Sequence, residues 1–320
     1  MKHGIRSLII SIGFVCLSGC SPVQTKPIRL AFVGDLMLGR QVEVIKQDMG
    51  WESTFDVLKP ELQSADLAFG NLESPLCENG QSCTMDGNSL CASSNAADIL
   101  TDAGFDVLST ANNHRLDCGP LKNKQAALER SGIQVLSDSN QAVKIKLKGK
   151  ELMLLAFDDI SSAIDKNQVI GSIKKASIES DLVIVSIHWG IEYQCGPSQR
   201  QKSLAEKMAA AGADLIWGHH PHVLQPLAWI EQGAEQNDTL VAYSLGNALF
   251  DQSGLADTRR TALLVVDIHE DGSIEPTIIP AVIDPHTYNL RTADDKDKKE
   301  ILLRLNAWEA LSQDHFSTQK

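Results

Sequence analysis

Six short apolar runs in this chain end in the same way. Ile28–Val33 runs into Gly34-Asp35, and Asp66–Phe69 into Gly70-Asn71-Leu72-Glu73. Asp106–Ser109 is followed by Asn112-Asn113-His114, and Leu182–Ile187 by His188-Trp189-Gly190. Asp214–Trp217 leads into Gly218-His219-His220-Pro221-His222, and Leu240–Ser244 into Gly246-Asn247. Runs of this length, rich in β-branched and apolar residues, read as buried strands, and Glu151–Phe157 and Ala262–Ile268 share their composition. Helical stretches at Ala96–Ala103, Lys122–Ser131 and Gln201–Ala211 lie between several of them, each followed by a glycine stop at Gly104, Gly132 or Gly212. This alternation predicts an α/β domain. The later strands lack long intervening helices, so part of the sheet is expected to be antiparallel or to form a second layer. Arg291 to Leu311, with Leu302, Leu303, Leu305 and Trp308 at helical spacing, reads as a C-terminal helix.

Open α/β sheets bind ligands at the carboxyl ends of their strands, where these loops converge. Asp, Glu, Asn and His supply oxygen and nitrogen donors for a divalent first-row metal. Two such ions would polarise a phosphoryl or acyl group and activate water near neutral pH. Taken singly, each residue has a plainer use. Asp35 could cap a helix, Asn112-Asn113 could form a turn, and His188 could be a hydrogen-bonded core histidine. His219, His220 and His222 are harder to dismiss, because three imidazoles in four residues are costly to bury without a ligand. The recurrence at strand ends points to one shared site.

Composition narrows the partners. A chain of 320 residues with 43% hydrophobic and 22% charged residues is not collagen-like, disordered or a multi-span membrane protein. Its formal net charge of −12 repels phosphate backbones and attracts cations, so nucleic acid is not expected as a partner. Lys2 and Arg6 precede an apolar run from Leu8 to Leu17 and then Ser18-Gly19-Cys20, the order of a secretory signal. The run is too short for a membrane-spanning helix, which needs about 20 residues. Leu17-Ser18-Gly19-Cys20 resembles a bacterial lipobox, which makes 1–19 a lipoprotein signal peptide, Cys20 the lipidated residue and 20–28 a tether. The expected location is the periplasm or cell exterior, on the outer membrane if the host has one, because Ser21 rather than Asp follows Cys20. Of seven cysteines, Cys77, Cys83 and Cys91 share one loop and suggest a local disulfide; without a C-x-x-C pair they do not suggest zinc.

The motifs Gly34–Arg40, Gly70–Leu76, Ala111–His114, His188–Tyr193, Gly218–Gln225 and Ser244–Gln252 together resemble the CapA/PgsA-type capsule synthesis proteins, associated with poly-γ-glutamate, a branch of the calcineurin-like metallophosphoesterases. The resemblance spans roughly residues 29 to 283. It implies a four-layer α/β/β/α sandwich over 29–285, with 286–320 as a helical extension, and two divalent ions (Mn, Fe, Zn or Mg). By the same resemblance Asp35 is a ligand, Glu73 bridges both ions, and Asn113 is the amide ligand. His188 and His220 complete one ion and His222 the other, with His219 as the alternative to His220. His114 would protonate the leaving group. Arg40 would neutralise an anionic substrate or form a surface ion pair, and Asn112, Glu192, Tyr193 and Asn247 would surround the site. Met37 stands where the superfamily carries a first-motif histidine, and Glu73 where it carries aspartate. Cys118 and Cys195 follow two of the motifs and could be a disulfide or two free thiols. Two functions are implied. One is a lipid-anchored metallohydrolase acting on a phosphoester or an anionic polymer. The other is a non-catalytic polymer-binding factor working with capsule synthase or export proteins.

Overall fold

The computed structural model describes residues 26–77, 90–117, 121–138, 141–233 and 237–306. The signal and lipobox, Cys83, Cys118 and Trp308 lie outside the described residues. In chain order the strands are β1 (Ile28–Leu36), β2 (Leu67–Leu72), β3 (Val107–Ser109), β4 (Gln134–Leu136), β5 (Val143–Leu147), β6 (Lys150–Asp158) and β7 (Leu182–His188). They continue with β8 (Leu215–His219), β9 (Leu224–Ile230), β10 (Thr239–Leu245), β11 (Asn247–Leu249), β12 (Arg260–Ile268), β13 (Ile274–Ile283) and β14 (Leu290–Thr292). The helices are α1 (Arg40–Met49), α2 (Lys59–Ser64), α3 (Ala96–Ala103), α4 (Leu121–Arg130), α5 (Lys166–Glu179), α6 (Gln199–Ala209), α7 (Ala256–Arg259) and α8 (Asp295–Asn306).

Two mixed sheets result. The first runs β14-β13-β12-β1-β2-β3-β4, with β11 also paired to β1; the second runs β5-β6-β7-β8-β10-β9. Strands β1 to β4 are parallel, as are β6, β7, β8 and β10, while β12, β13, β14, β5 and β9 join antiparallel. One apolar core lies between the sheets, where Phe32 and Phe69 meet Leu154, Ile184, Leu215 and Trp217. Phe32 and Phe69 stack at 4.5 Å, and Trp217 tilts against Phe32 at 5.7 Å. Such pairs contribute roughly 0.5–1.5 kcal/mol beyond area burial. Trp217 Nε1 donates to the Val33 carbonyl at 2.9 Å, which ties one sheet to the other. A second core packs Val42, Leu62, Leu100 and Leu128 of α1 to α4 on the outer face of the first sheet. A third packs Val169, Ile173, Leu204 and Met208 of α5 and α6 on the outer face of the second. The four layers are therefore α/β/β/α.

The helices that sequence reading found are bounded by recognisable signals. Gly104 ends α3 in a left-handed conformation with φ of 105°. Ser198 and Gln201 form a capping box at the start of α6. The C-terminal helix starts later than expected. Arg291 belongs to β14, and the helix begins at Asp295, where it packs Ile301 and Leu305 against Leu224, Ala262 and Val282. Leu303, expected on the apolar face, is exposed.

Lys46 on α1 is 2% exposed, and its Nζ donates to Asn289 Oδ1. Burial pushes its pKa down to about 8, against the opposing pull of Asp284 and Glu52. The folded value lies below the ordinary 10.5, so between about pH 8 and 10.5 the unfolded chain binds more protons. Stability from this residue therefore rises with pH in that window, by up to about 1.4 kcal/mol per pH unit. Lys46→Met removes the titration. Its stability difference from the parent chain, measured by denaturant unfolding, is expected to shift in the parent's favour between pH 7 and pH 10. A pH-independent difference would contradict the buried-ammonium reading.

Candidate metal centre

A bulge on β1 aims the first candidate ligand. Phe32 pairs with Phe69 and Asp35 with Asn71, so three steps on β1 match two on β2. Before the bulge Leu30 and Phe32 face the inter-sheet core; after it Leu36 lies in the helix-side core, and Asp35 has taken the inter-sheet face. Gly34 permits this, because its backbone passes so close to the link between β10 and β11 that a Cβ there would lie 1.8 Å from the Gly246 oxygen. Asp35 N donates to that same oxygen at 2.9 Å.

Around Asp35 the strand ends converge. Asn71 Nδ2 donates to Asp35 Oδ1 at 2.8 Å, and Asn112 Nδ2 donates to Asn71 Oδ1 at 3.3 Å and to the Leu72 carbonyl at 2.9 Å. His188 Nε2 lies 3.2 Å from Glu73 Oε1 and 2.8 Å from Asn113 Oδ1. The His220 ring sits 4.7 Å from that of His188, and the His220 N–H donates to Asp35 Oδ2 at 3.2 Å. His222 Nδ1 stands 3.3 Å from Asp35 Oδ2 and 2.9 Å from Asn247 Oδ1. Asp35, Glu73, His188, His219, His220 and His222 are all buried. Two sets of donor atoms lie within 4.8 Å of one another: Asp35, His188 and His219, and Glu73, His220 and His222. His188 also reaches Glu73 and Asn113 through Nε2, so the sets share one cavity of donors rather than two separate ones.

His220 and His222 hold φ of 101° and 58°, the left-handed region that favours glycine. Each such residue costs about 1–3 kcal/mol and persists where its surroundings dictate it, typically at functional sites. Here Pro221 lies between them, and its carbonyl accepts from Tyr193 N at 2.8 Å.

Charge in the site is uneven. Burial opposes ionisation of Asp35, but His222, His219 and the Asn71 hydrogen bond hold its pKa below the ordinary value. Burial and the neighbouring Asp35 push Glu73 well above its ordinary value, and His222 only partly offsets them. Burial lowers His219 and His220 to about 4 and holds His188 well below its ordinary value, so all three are neutral and able to ligate. His222 alone is raised, to about 9: burial opposes its charge, but Glu73 and Asp35 outweigh it. Glu73 Oε2 is buried without a hydrogen-bond partner. An unpaired carboxyl oxygen beside the neutral His188 and His220 fits a divalent cation, and the donor set suits Mn, Fe, Zn or Mg.

Other expected residues stand at the rim. Arg40 pairs with Asp251 through both Nε and Nη2 and lies over the Phe250 ring at 5.7 Å, while Phe250 packs against His222 at 4.8 Å. Glu192 and Tyr193 are exposed, and Tyr193 Oη accepts from Gln252 Nε2 at 3.1 Å. His114 is half-buried, with Nδ1 3.0 Å from Asp117 Oδ2. Met37 packs in the helix-side core, so the position of the superfamily's first-motif histidine supplies no donor here. Cys195 carries a free thiol, its suggested partner Cys118 lies outside the described residues, and Cys77 and Cys91 are each disulfide-bonded. Sequence reading missed Asn71 as a bridge between the carboxylates. It also missed Asp158, a carboxylate at a seventh strand end that accepts from Arg115 and Ser161. Asp158 follows the apolar run of β6 without a flanking glycine, and that weaker signal could have found it.

Fold and site together define a metallophosphoesterase-like α/β/β/α protein with a candidate metal centre at the carboxyl ends of its strands. The chain is 33% identical over 298 residues to the PGA biosynthesis protein CapA of Bacillus subtilis, covering 86% of this chain and 77% of that one. It is also 33% identical over 286 residues to the capsule biosynthesis protein CapA of Bacillus anthracis, covering 80% and 68%. With the model of the bacterial capsule synthesis protein family, PGA_cap, matching residues 29–252, the chain belongs to that family. A hypothetical protein from Thermus thermophilus shares the fold at a TM-score of 0.53 and 15% identity, covering 79% of this chain and 99% of its own.

Proposed function

We propose that this protein is a lipid-anchored, extracytoplasmic metal-dependent hydrolase that processes an anionic polymer of the poly-γ-glutamate type, or a phosphoester, during capsule synthesis. The observation that carries the reading is the unpaired Glu73 oxygen at the meeting point of Asp35 and the buried, neutral His188 and His220. Asp35, Glu73, Asn113, His188, His220 and His222 would hold two divalent ions. Such ions supply Lewis acidity and an activated water at neutral pH. Asn71 keeps the two carboxylates apart and oriented, and Asn247 holds His222 by accepting from Nδ1. His114, fixed through Nδ1 by Asp117, presents its other nitrogen to hand a proton to the leaving group. Arg40, steadied by Asp251, offers a planar cation to an anionic chain at the rim. Family membership supports capsule polymer as the material handled, and the Leu17–Cys20 motif supports the anchor. Among the described residues no helix is long and apolar enough to cross a membrane, so lipid at Cys20 would be the membrane attachment.

The test is metal content. The exported chain with Cys20→Ser, purified without chelator, is expected to carry about two equivalents of Mn, Fe or Zn by plasma mass spectrometry. His220→Ala should lose at least one of them. No metal after reconstitution would end the hydrolase reading.

One observation favours a second reading, a non-catalytic factor that binds nascent polymer and works with synthase or export proteins: Met37 leaves the Asp35 side of the centre one donor short. Metal-dependent affinity for poly-γ-glutamate without cleavage would establish it.

A further inference from the structure

The adjacent imidazoles of His219 and His220 compete for one role, and the hydrogen bonds separate them. His219 Nε2 lies 2.9 Å from Ser186 Oγ, and His219 Nδ1 lies 2.7 Å from His188 Nδ1. Both ring nitrogens of His219 are thus engaged by protein groups. Two nitrogens bound to one tetrahedral ion at about 2.0–2.1 Å would stand about 3.3 Å apart, so a 2.7 Å contact is a hydrogen bond rather than a shared ligand position. His188 points its remaining nitrogen, Nε2, at Asn113 Oδ1 and Glu73 Oε1, the two groups already placed as ligands. A ring that ligates through Nε2 carries its proton on Nδ1. His188 Nδ1 faces His219 Nδ1 and, at 3.5 Å, Asn71 Nδ2, itself a donor, so the proton goes toward His219 Nδ1, which then accepts, leaving the proton of His219 on Nε2 to be donated to Ser186 Oγ.

We propose that His219 is not a metal ligand but a positioning residue: the relay Ser186–His219–His188 fixes the ring orientation and tautomer of His188, and His220 takes the ligand place. The relay is rigid. Ser186, His188 and His219 are 1%, 0% and 0% exposed, and the Trp217 ring packs edge-on against His219 at 5.1 Å. The register supports it, since His188 and His219 are direct partners on the parallel strands β7 and β8. A ligating histidine commonly donates its second nitrogen to a carboxylate or carbonyl, and removing such a partner typically weakens metal binding about 10- to 100-fold. Here another imidazole fills that place.

The proposal rests on the metal-centre reading, and one experiment separates the two. The full chain with Cys20→Ser is titrated with Zn2+ against a chromophoric chelator, beside Ser186→Ala, His219→Gln and His220→Gln, with circular dichroism as the folding check. Ser186→Ala keeps the polar ring of His219 and serves where His219→Gln fails to fold. Ser186→Ala and His219→Gln are expected to keep the parent stoichiometry with about 10- to 100-fold weaker affinity, while His220→Gln loses an equivalent. Long-range 1H–15N spectra of the Zn2+-loaded chain should show His219 as the Nε2–H tautomer without a ligated nitrogen. Loss of a whole equivalent in folded His219→Gln, or a Zn2+-ligated His219 nitrogen in the spectrum, overturns the proposal and leaves the metal centre standing. A parent chain that binds no Zn2+ overturns both.

Discussion

Glu73→Gln is expected to abolish hydrolysis and metal loading together, while the protein without added metal unfolds at no lower a temperature than the parent. Glu73 is fully buried, and both burial and the nearby Asp35 disfavour its charge. Replacing it by an uncharged isostere removes that cost. The same change removes the shared carboxylate, whose Oε2 has no protein partner. A metal present at about 100 times its dissociation constant stabilises the native state by about 2.7 kcal/mol. The parent's unfolding temperature should therefore climb on adding Mn2+ or Zn2+, and that of Glu73→Gln should stay flat. Turnover of whichever phosphoester or poly-γ-glutamate substrate the parent cleaves should fall at least a hundredfold. Thermal melts with and without metal, run beside the activity assay, distinguish this from simple misfolding. A variant that keeps its metal-dependent rise in melting temperature would remove Glu73 from the centre.

Gly34→Ala carries the second large effect, and Gly171→Ala is its control. At Gly34 a Cβ would meet the Gly246 oxygen at 1.8 Å and the Gly246 carbonyl carbon at 2.8 Å, both backbone. Neither can move without parting β1 from β11, so a loss of more than about 3 kcal/mol is expected, beyond the usual ~1–3 kcal/mol of overpacking. The same separation would displace Asp35 from Asn247, its register partner, and weaken metal binding. At Gly171, inside α5, a Cβ meets nothing within 4 Å. There the same substitution should stabilise by roughly 0.5–1 kcal/mol through helix propensity. Denaturant midpoints of the two variants should move in opposite directions. Equal shifts would mean that the contact of β1 with β11 is not what fixes Gly34.

The donors lining the centre were legible because each sits where an apolar strand stops, and a polar residue there has few bland uses. Strands with mixed exposure were harder to read. In β5, Val143, Ile145 and Leu147 alternate with lysines on a half-covered edge. Strand β13 contains Pro276 and Pro280, residues that usually argue against a strand with neighbours on both sides; β14 pairs only with Ala281 to Ile283, so both prolines lie where β12 is the one strand partner among the described residues. The helix α5 contains Gly171, which weakened its pattern, and its Asp165 cap became visible only in three dimensions. Which imidazole meets which carboxylate depends on register and on the bulge at Gly34, and neither is written in local composition. For that reason Asn71, two residues before Glu73, read only as part of a motif until it was seen donating to Asp35.

The course of β1 separates the point where the chain enters the fold from the donors. The chain enters the fold at Ile28 and reaches Asp35 at the other end of the strand, about 23 Å away. On the anchored reading proposed above, the seven residues from Ser21 to Pro27 form a leash no longer than roughly 25 Å. Such a leash would join the sandwich at the Ile28 end of β1, opposite the end that carries Asp35. On that reading the donors would open on the side away from the lipid, toward soluble polymer rather than toward headgroups of the protein's own leaflet.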